Sequence, residues 1–121
     1  MNKKERPILS NLVNSGTLDI EKIQNEVIRP IIKMQNNLLT VLFQNYVKQK
    51  KIEFTDLSGE KQKEIINTSL TKDINFKNIL LGCVVGHFSE KELFFYINNT
   101  PELRRRIIQI IKQRLQDNTK A

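Results

Sequence analysis

The chain has 121 residues, of which 39% are hydrophobic and 27% are charged, and this composition excludes a disordered tail. The 20 Lys and Arg residues outnumber the 13 Asp and Glu residues, so the formal net charge is +7. The single cysteine excludes an intramolecular disulfide framework, and the length favours one domain.

Three regions are predicted along the chain. Residues 1–16 mix charged residues with Pro7 and Gly16 and are predicted to form a flexible N-terminal arm. Residues 17–117 carry the helical patterns described below and are predicted to form a single helical domain. Residues 118–121 are predicted to be a frayed C-terminus.

The strongest helical pattern begins at Thr17. Pro30 falls inside it, and two alternatives are open: the helix is kinked, or a short helix ends near Arg29 and a second one opens with Pro30 near its first position. The pattern then continues to about Lys50. The apolar residues that recur at steps of three and four, and so mark one helix face, are Ile20, Ile23, Val27, Ile31, Met34, Leu38, Val41 and Leu42.

Capping residues predict the next two helices. Thr55 and Ser58 are alternative N-caps for a helix that runs to about Leu70. Asp73 is the predicted cap of the helix that follows. Because that helix is apolar around most of its circumference after Ile79, we expect it to be buried at the centre of the domain.

Two more start signals follow. Ser89 and Glu92 have the residue types and the spacing of a capping box, in which each side chain bonds the backbone amide of the other residue. In the last helix Thr100 is the predicted cap and Pro101 the first helical position, and the pattern continues through Leu115.

Strand signals are missing from the sequence. No segment shows sustained alternation of apolar and polar residues, and no Asn-Gly or Asp-Gly pair is present. The predicted fold class is therefore all-α, a single compact bundle of about five or six helices.

Cys83 and His87 are the single members of their residue types, and their spacing places them on one helix face. A thiol and an imidazole form a nucleophile and a base only in an electropositive setting, whereas the flanking Leu81 and Val84 are apolar. We therefore predict that Cys83 belongs to the core, and an enzyme is the less favoured class. Two such ligands are too few for structural zinc, so no metal and no cofactor are predicted.

The last helix carries the densest group of basic residues, which runs from Arg104 to Arg114. On a helical wheel, Arg105 and Lys112 point away from the apolar arc, whereas Arg104 and Arg114 lie within it or at its rim. Arginines at a rim must snorkel, pair with an acid or face an anionic partner. The helix is thus either a phosphate-contacting surface or a solvated face.

An ordered set of segments extends over about residues 20–117. It comprises residues 29–35, residues 70–78, Gly82, Gly86, Phe88 and the pair Arg114-Leu115. This set resembles a group of short bacterial proteins that often carry the name glyoxalase. The name implies a metal-dependent lyase with β-rich modules and His and Glu ligands. Because the chain has one His and no predicted strand, no catalytic residue is carried across.

Two classes of function are predicted. The first is a non-catalytic interaction module that binds a protein partner or a second copy of itself, since six Phe and two Tyr occur without a catalytic constellation. The alternative is a nucleic-acid-binding protein. The basic residues assigned to that alternative are Lys48, Lys50, Lys51, Arg104, Arg105, Arg106, Lys112 and Arg114.

The location is predicted from two features of the sequence. No apolar run reaches the roughly 20 residues that span a bilayer, so no membrane partner is expected. The first residues lack the apolar core of a secretion signal, which predicts a cytoplasmic protein.

Overall fold

The computed structural model describes residues 17–119, and within this range it contains helices and turns without a strand. The all-α prediction is confirmed. The predicted arm, residues 1–16, lies outside the described residues, as do residues 120–121. The helical elements are α1 (Thr17–Ile23), a π-helical segment (Gln24–Ile28), α2 (Arg29–Met34), α3 (Asn36–Gln49), a 3-10 turn (Phe54–Asp56), α4 (Gly59–Lys72), α5 (Ile74–Val85), α6 (Glu90–Asn98) and α7 (Thr100–Gln116).

The chain passes Pro30 without leaving the helix. The amide of Arg29 donates to the carbonyl oxygen of Gln24, five residues earlier, which is the bond of a π-helix. This bond widens the turn just before the proline, whose ring needs room there and which has no N–H to donate. Of the two predicted alternatives, the single helix with an irregularity at Pro30 is the closer, because Ile28 and Arg29 both keep helical dihedral angles and no gap separates α2 from the π-helical segment.

The predicted core face is wrong after Gln35. The sequence pattern assigns Val41 to the core, whereas its side chain is 59% exposed. The core residues of α3 are Leu39, Phe43 and Val47. Gln35 interrupts the helix with φ −96° and ψ 12°, and this irregular residue shifts the buried stripe by one position.

Local capping places the starts of α4 and α5. Ser58, not Thr55, caps α4 by accepting a 3.3 Å hydrogen bond from the Lys61 amide. Asp73 caps α5 as predicted, with Oδ1 accepting from the Phe76 amide at 3.1 Å. The prediction that α5 lies buried at the centre of the domain is wrong. The helix packs against α4 and α7, and its Phe76 ring stacks on Tyr46 of α3, but Ile74 and Ile79 are 66% and 54% exposed.

The capping box of α6 is confirmed. The Ser89 amide donates to Glu92 Oε1 at 2.8 Å, and the Glu92 amide donates to Ser89 Oγ at 3.3 Å. The predicted cap of α7 is wrong, since Thr100 is itself the first helical residue. Its hydroxyl donates backwards to the carbonyl oxygen of Tyr96 at 2.9 Å, and this bond ties α7 to the end of α6.

Candidate nucleic-acid interface

Helix α7 separates an apolar inner face from a polar outer face. Arg105, Gln109 and Gln113 are exposed on the outer face, and we call these three residues the α7 ridge. Arg105 donates to the Gln109 side-chain oxygen at 3.3 Å along this ridge. The residues of the inner face are buried in the core: Leu103, Ile107, Ile108, Ile111 and Leu115.

One side of the ridge borders a groove between α7 and the π-helical segment with α2, which we call the π groove. It has a volume of about 720 Å³. Its basic side chains are Arg29 and Lys33 from α2, and Arg106 and Arg114 from α7. Much of the remaining lining consists of side-chain amides, and Asp117 contributes a carboxylate.

Hydrogen bonds hold two of these four cations in place. Arg106 donates to Gln24 Oε1 at 2.8 Å, and Arg29 donates to Asn25 Oδ1 at 3.1 Å. The Lys33 ammonium and the Arg114 guanidinium have no hydrogen-bond or ion-pair partner among residues 17–119. These two cations are therefore available to a ligand in the π groove.

The other side of the ridge borders a second groove, of about 520 Å³, which we call the α5 groove. Its basic side chains are Lys77, Arg104, Arg105 and Lys112. Arg104 donates to Asn78 Oδ1 at 3.2 Å, and Lys112 donates to Asn67 Oδ1 at 2.7 Å. Gln109 lines both grooves, so basic side chains flank α7 on its two sides.

Glu102 neutralises part of this basic surface. Its carboxylate accepts hydrogen bonds from Arg105 at 2.5 Å and from Arg106 at 2.7 Å. These bonds lower the pKa of Glu102, and the bond to Glu102 raises the pKa of Arg105. Four cations in each groove nevertheless exceed the two carboxylates Glu102 and Asp117.

The eight basic residues assigned from the sequence do not share one surface. Arg104, Arg105, Arg106, Lys112 and Arg114 all line the two grooves beside α7. Lys112 departs from its predicted position, because it is half-buried against α4 instead of pointing away from the domain.

The three lysines near the end of α3 lie apart from that surface. Lys50 Nζ is 3.8 Å from Asp73 Oδ2 and 5.6 Å from the centre of the Tyr46 ring. Lys48 and Lys51 line a separate groove near the C-terminal end of α7.

Sequence reasoning missed three basic residues that complete the surface. Arg29 and Lys33 are four residues apart, so their shared helix face is visible in the sequence. The contact of this face with α7 depends on the tertiary structure and is not visible in the sequence. Lys77 has no local signal, because only the packing of α5 on α7 places it in the α5 groove.

The surroundings of Cys83 and His87 do not activate the thiol of Cys83 as a nucleophile. Burial raises the pKa of the Cys83 thiol, which keeps it protonated at neutral pH. The His87 ring is hydrogen-bonded to the side chain of Gln35. Between residues 17 and 119, no group of three His, Cys, Asp or Glu side chains is placed to hold a metal ion.

None of the helices in the described part of the chain is both long and apolar enough to cross a membrane. Comparison of the chain with known protein families, with curated proteins and with solved structures finds no match.

Proposed function

We propose that this protein binds nucleic acid through the phosphate backbone, with the α7 ridge between two basic grooves as the binding surface. One observation carries the proposal: Lys33 and Arg114 face the same groove without an acidic partner in the described chain. Cations left unpaired in a groove already rich in guanidinium groups favour an anionic ligand.

The dimensions of the surface suit several phosphates. Arg106 and Arg114 are separated by about 12 Å along α7 at 1.5 Å per residue. One nucleic-acid strand carries a phosphate about every 3.4 Å along the helix axis, so roughly four phosphates fall within this length. The ridge amides of Gln109 and Gln113 add hydrogen-bond donors between the charged groups.

The surface favours binding that is independent of base sequence. The exposed stripe of α7, Arg105, Gln109 and Gln113, lies between α2 on one side and α4 and α5 on the other, so few side chains project from α7 to read base edges. Contacts then fall on phosphate and sugar, which position a nucleic acid without reading it.

The test is fluorescence anisotropy of a labelled single strand and a labelled duplex, each titrated at about 50 and about 200 mM salt. With about four phosphates contacted, the affinity for the duplex should fall by about two orders of magnitude between these salt concentrations. The Lys33→Gln/Arg114→Gln variant should bind more weakly at about 50 mM and show a shallower salt dependence.

The matched control is Lys61→Gln/Lys72→Gln, which removes the same net charge from two exposed positions on α4 outside both grooves. It should bind nearly as well as the wild type. Absence of binding at about 50 mM salt, or an equal loss of affinity in the two variants, would contradict the proposal, because the second result indicates an effect of net charge alone.

A second candidate function, self-association, is favoured by the outer face of α6. Phe94 and Ile97 are each 59% exposed there, and Leu93 lies beside them at 39%. The exposed charged residues of α6 are one acid, Glu90, and one base, Lys91, so the local charge of this helix is near zero. Two copies of a chain with net charge +7 repel each other least where the local charge cancels.

Sedimentation equilibrium tests this second candidate. A Phe94→Ser variant should shift the monomer–dimer equilibrium towards monomer, whereas Val41→Ser, which removes an equally exposed apolar side chain from α3, should not. A chain that stays monomeric at all concentrations would rule it out. We place self-association second, because three apolar side chains on one short helix form a small patch compared with the faces buried by stable dimers.

A further inference from the structure

A third groove lies at the far end of α7 from Arg105, between α3, the 3-10 turn and α4, and we call it the α3 groove. Its volume is about 630 Å³, within the range of roughly 300–1,000 Å³ that is typical of small-molecule sites. It shares no lining residue with the π groove or the α5 groove. A ligand here would therefore be independent of nucleic acid bound beside α7.

The floor of the α3 groove is apolar and closely packed. Phe43 and Leu115 are almost fully buried at its base. The Phe54 ring meets the Phe43 ring edge-on, with centroids 5.3 Å apart, and Ile52 and Phe54 remain half-buried in the lining. This arrangement offers apolar surface to a ligand without requiring the core to open.

Two lysines stand at the rim of this floor. Lys48 and Lys51 are exposed, and neither ammonium group has a hydrogen-bond or ion-pair partner among the described residues. Glu53 is the one carboxylate among the described lining residues, so the rim carries a net positive charge. Apolar floor and cationic rim together match a molecule with one apolar part and one anionic end.

The backbone fixes the position of Lys51. Its φ is 59°, in the left-handed region that glycine adopts most easily. The Lys51 amide donates to the Lys48 carbonyl oxygen at 3.0 Å and the Ile52 amide to that of Val47 at 3.0 Å, which is the Schellman ending of a helix. These bonds hold the Lys51 backbone at the rim of the α3 groove.

We propose that the α3 groove binds a small amphipathic carboxylate, such as a medium-chain acyl acid. The acyl chain of the ligand lies on Phe54 and Ile52, above Phe43 at the base of the groove. Its carboxylate lies between the ammonium groups of Lys48 and Lys51. The groove and its rim charge carry this proposal, and it does not rest on the proposed nucleic-acid function.

Isothermal titration of the full chain with decanoate, below its micelle concentration, tests the proposal. Decanoate should bind saturably at one site. Decanol, which has the same alkyl chain without the charge, should bind about tenfold more weakly than decanoate. Acetate, which has the charge without the alkyl chain, should also bind about tenfold more weakly. Equal affinity for decanoate and decanol, or no saturable binding of decanoate, would overturn the proposal.

Three variants locate the site. Lys48→Gln/Lys51→Gln should weaken decanoate binding about tenfold, and the matched control Lys61→Gln/Lys63→Gln, on exposed positions of α4, should leave it unchanged. Lys51→Gly should raise the thermal midpoint, since glycine suits this φ, and still weaken decanoate binding. This variant separates loss of the ligand from loss of the fold. Wild-type affinity in both lysine variants, or an equal loss in the control, would show that the rim lysines do not form the site.

Discussion

The Arg106 guanidinium donates a 2.8 Å hydrogen bond to Gln24 Oε1, and these two residues are 82 positions apart in the chain. Gln24 is the first residue of the π-helical segment, so this bond holds α7 against the widened turn that precedes Pro30. Arg106 is held a second time by Glu102 at 2.7 Å. Arg106 is fixed by two partners and Arg29 is hydrogen-bonded to Asn25, so Lys33 and Arg114 are the cations of the π groove that remain for a ligand within the described residues.

Replacing Glu102 by Gln should strengthen nucleic-acid binding. The carboxylate accepts hydrogen bonds from Arg105 and Arg106, and its removal leaves both guanidinium groups without an anionic partner there. Each additional phosphate that they contact should steepen the slope of log affinity against log salt by about 0.9 for a duplex. Anisotropy measures both quantities, with Glu64→Gln on the exposed face of α4 as the control of equal charge. Unchanged or weaker binding by Glu102→Gln would count against the assigned surface.

The stability of α5 should depend on pH through Asp73. The Phe76 amide, followed by the Tyr46 hydroxyl, lowers the pKa of Asp73 below its ordinary value of 3.8. Because this pKa is lower in the folded state, the stabilisation is fully present above the unfolded pKa and is lost as the pH falls through the folded one. The thermal midpoint of the wild type should therefore fall more steeply below about pH 4 than that of Asp73→Asn. Parallel curves for the two proteins would refute this role.

A pair of alanine substitutions tests the buried face of α3. Leu39 is 2% exposed and Val41 is 59% exposed. Leu39→Ala should reduce the free energy of unfolding by about 2–5 kcal/mol, since it leaves a cavity in the core. Val41→Ala should change it by no more than about 0.5 kcal/mol. Urea unfolding measures both, and the reverse order would restore the face expected from the sequence.

Leu39 and Val41 also show which features of this fold the sequence does not predict. Ser58, Asp73 and Ser89 cap their helices through bonds to amides three residues away, and such local signals are readable in a sequence. The burial of Leu39 in place of Val41 depends on the irregular backbone at Gln35. The spacing of the apolar residues does not predict that irregularity.

The candidate site divides in the same way. Arg104, Arg105 and Arg106 lie on one helix, and the sequence alone singles them out. Arg29 and Lys33 come from a helix far away in sequence, and only the packing of α2 beside α7 adds them to the π groove. Spacing within a single helix carries no information about that neighbour.

Cys83 should react slowly with a thiol reagent in the native protein. Burial raises the pKa of its thiol, so little of the reactive thiolate is present at neutral pH. Labelling with a maleimide, followed by mass spectrometry, should be slow in buffer and fast after unfolding in urea. Rapid stoichiometric labelling of the native chain would instead reopen a nucleophilic role for this residue.

The most direct test of the α7 surface is an NMR titration of the isotope-labelled chain with an unlabelled duplex at about 50 mM salt. We expect amide shifts along α7 and over residues 24–33, with residues 40–55 unaffected, and we expect these shifts to be smaller at the same duplex concentration in Lys33→Gln/Arg114→Gln. Shifts that map instead to α6 or to the end of α3, and that persist in this variant, would contradict the proposed interface.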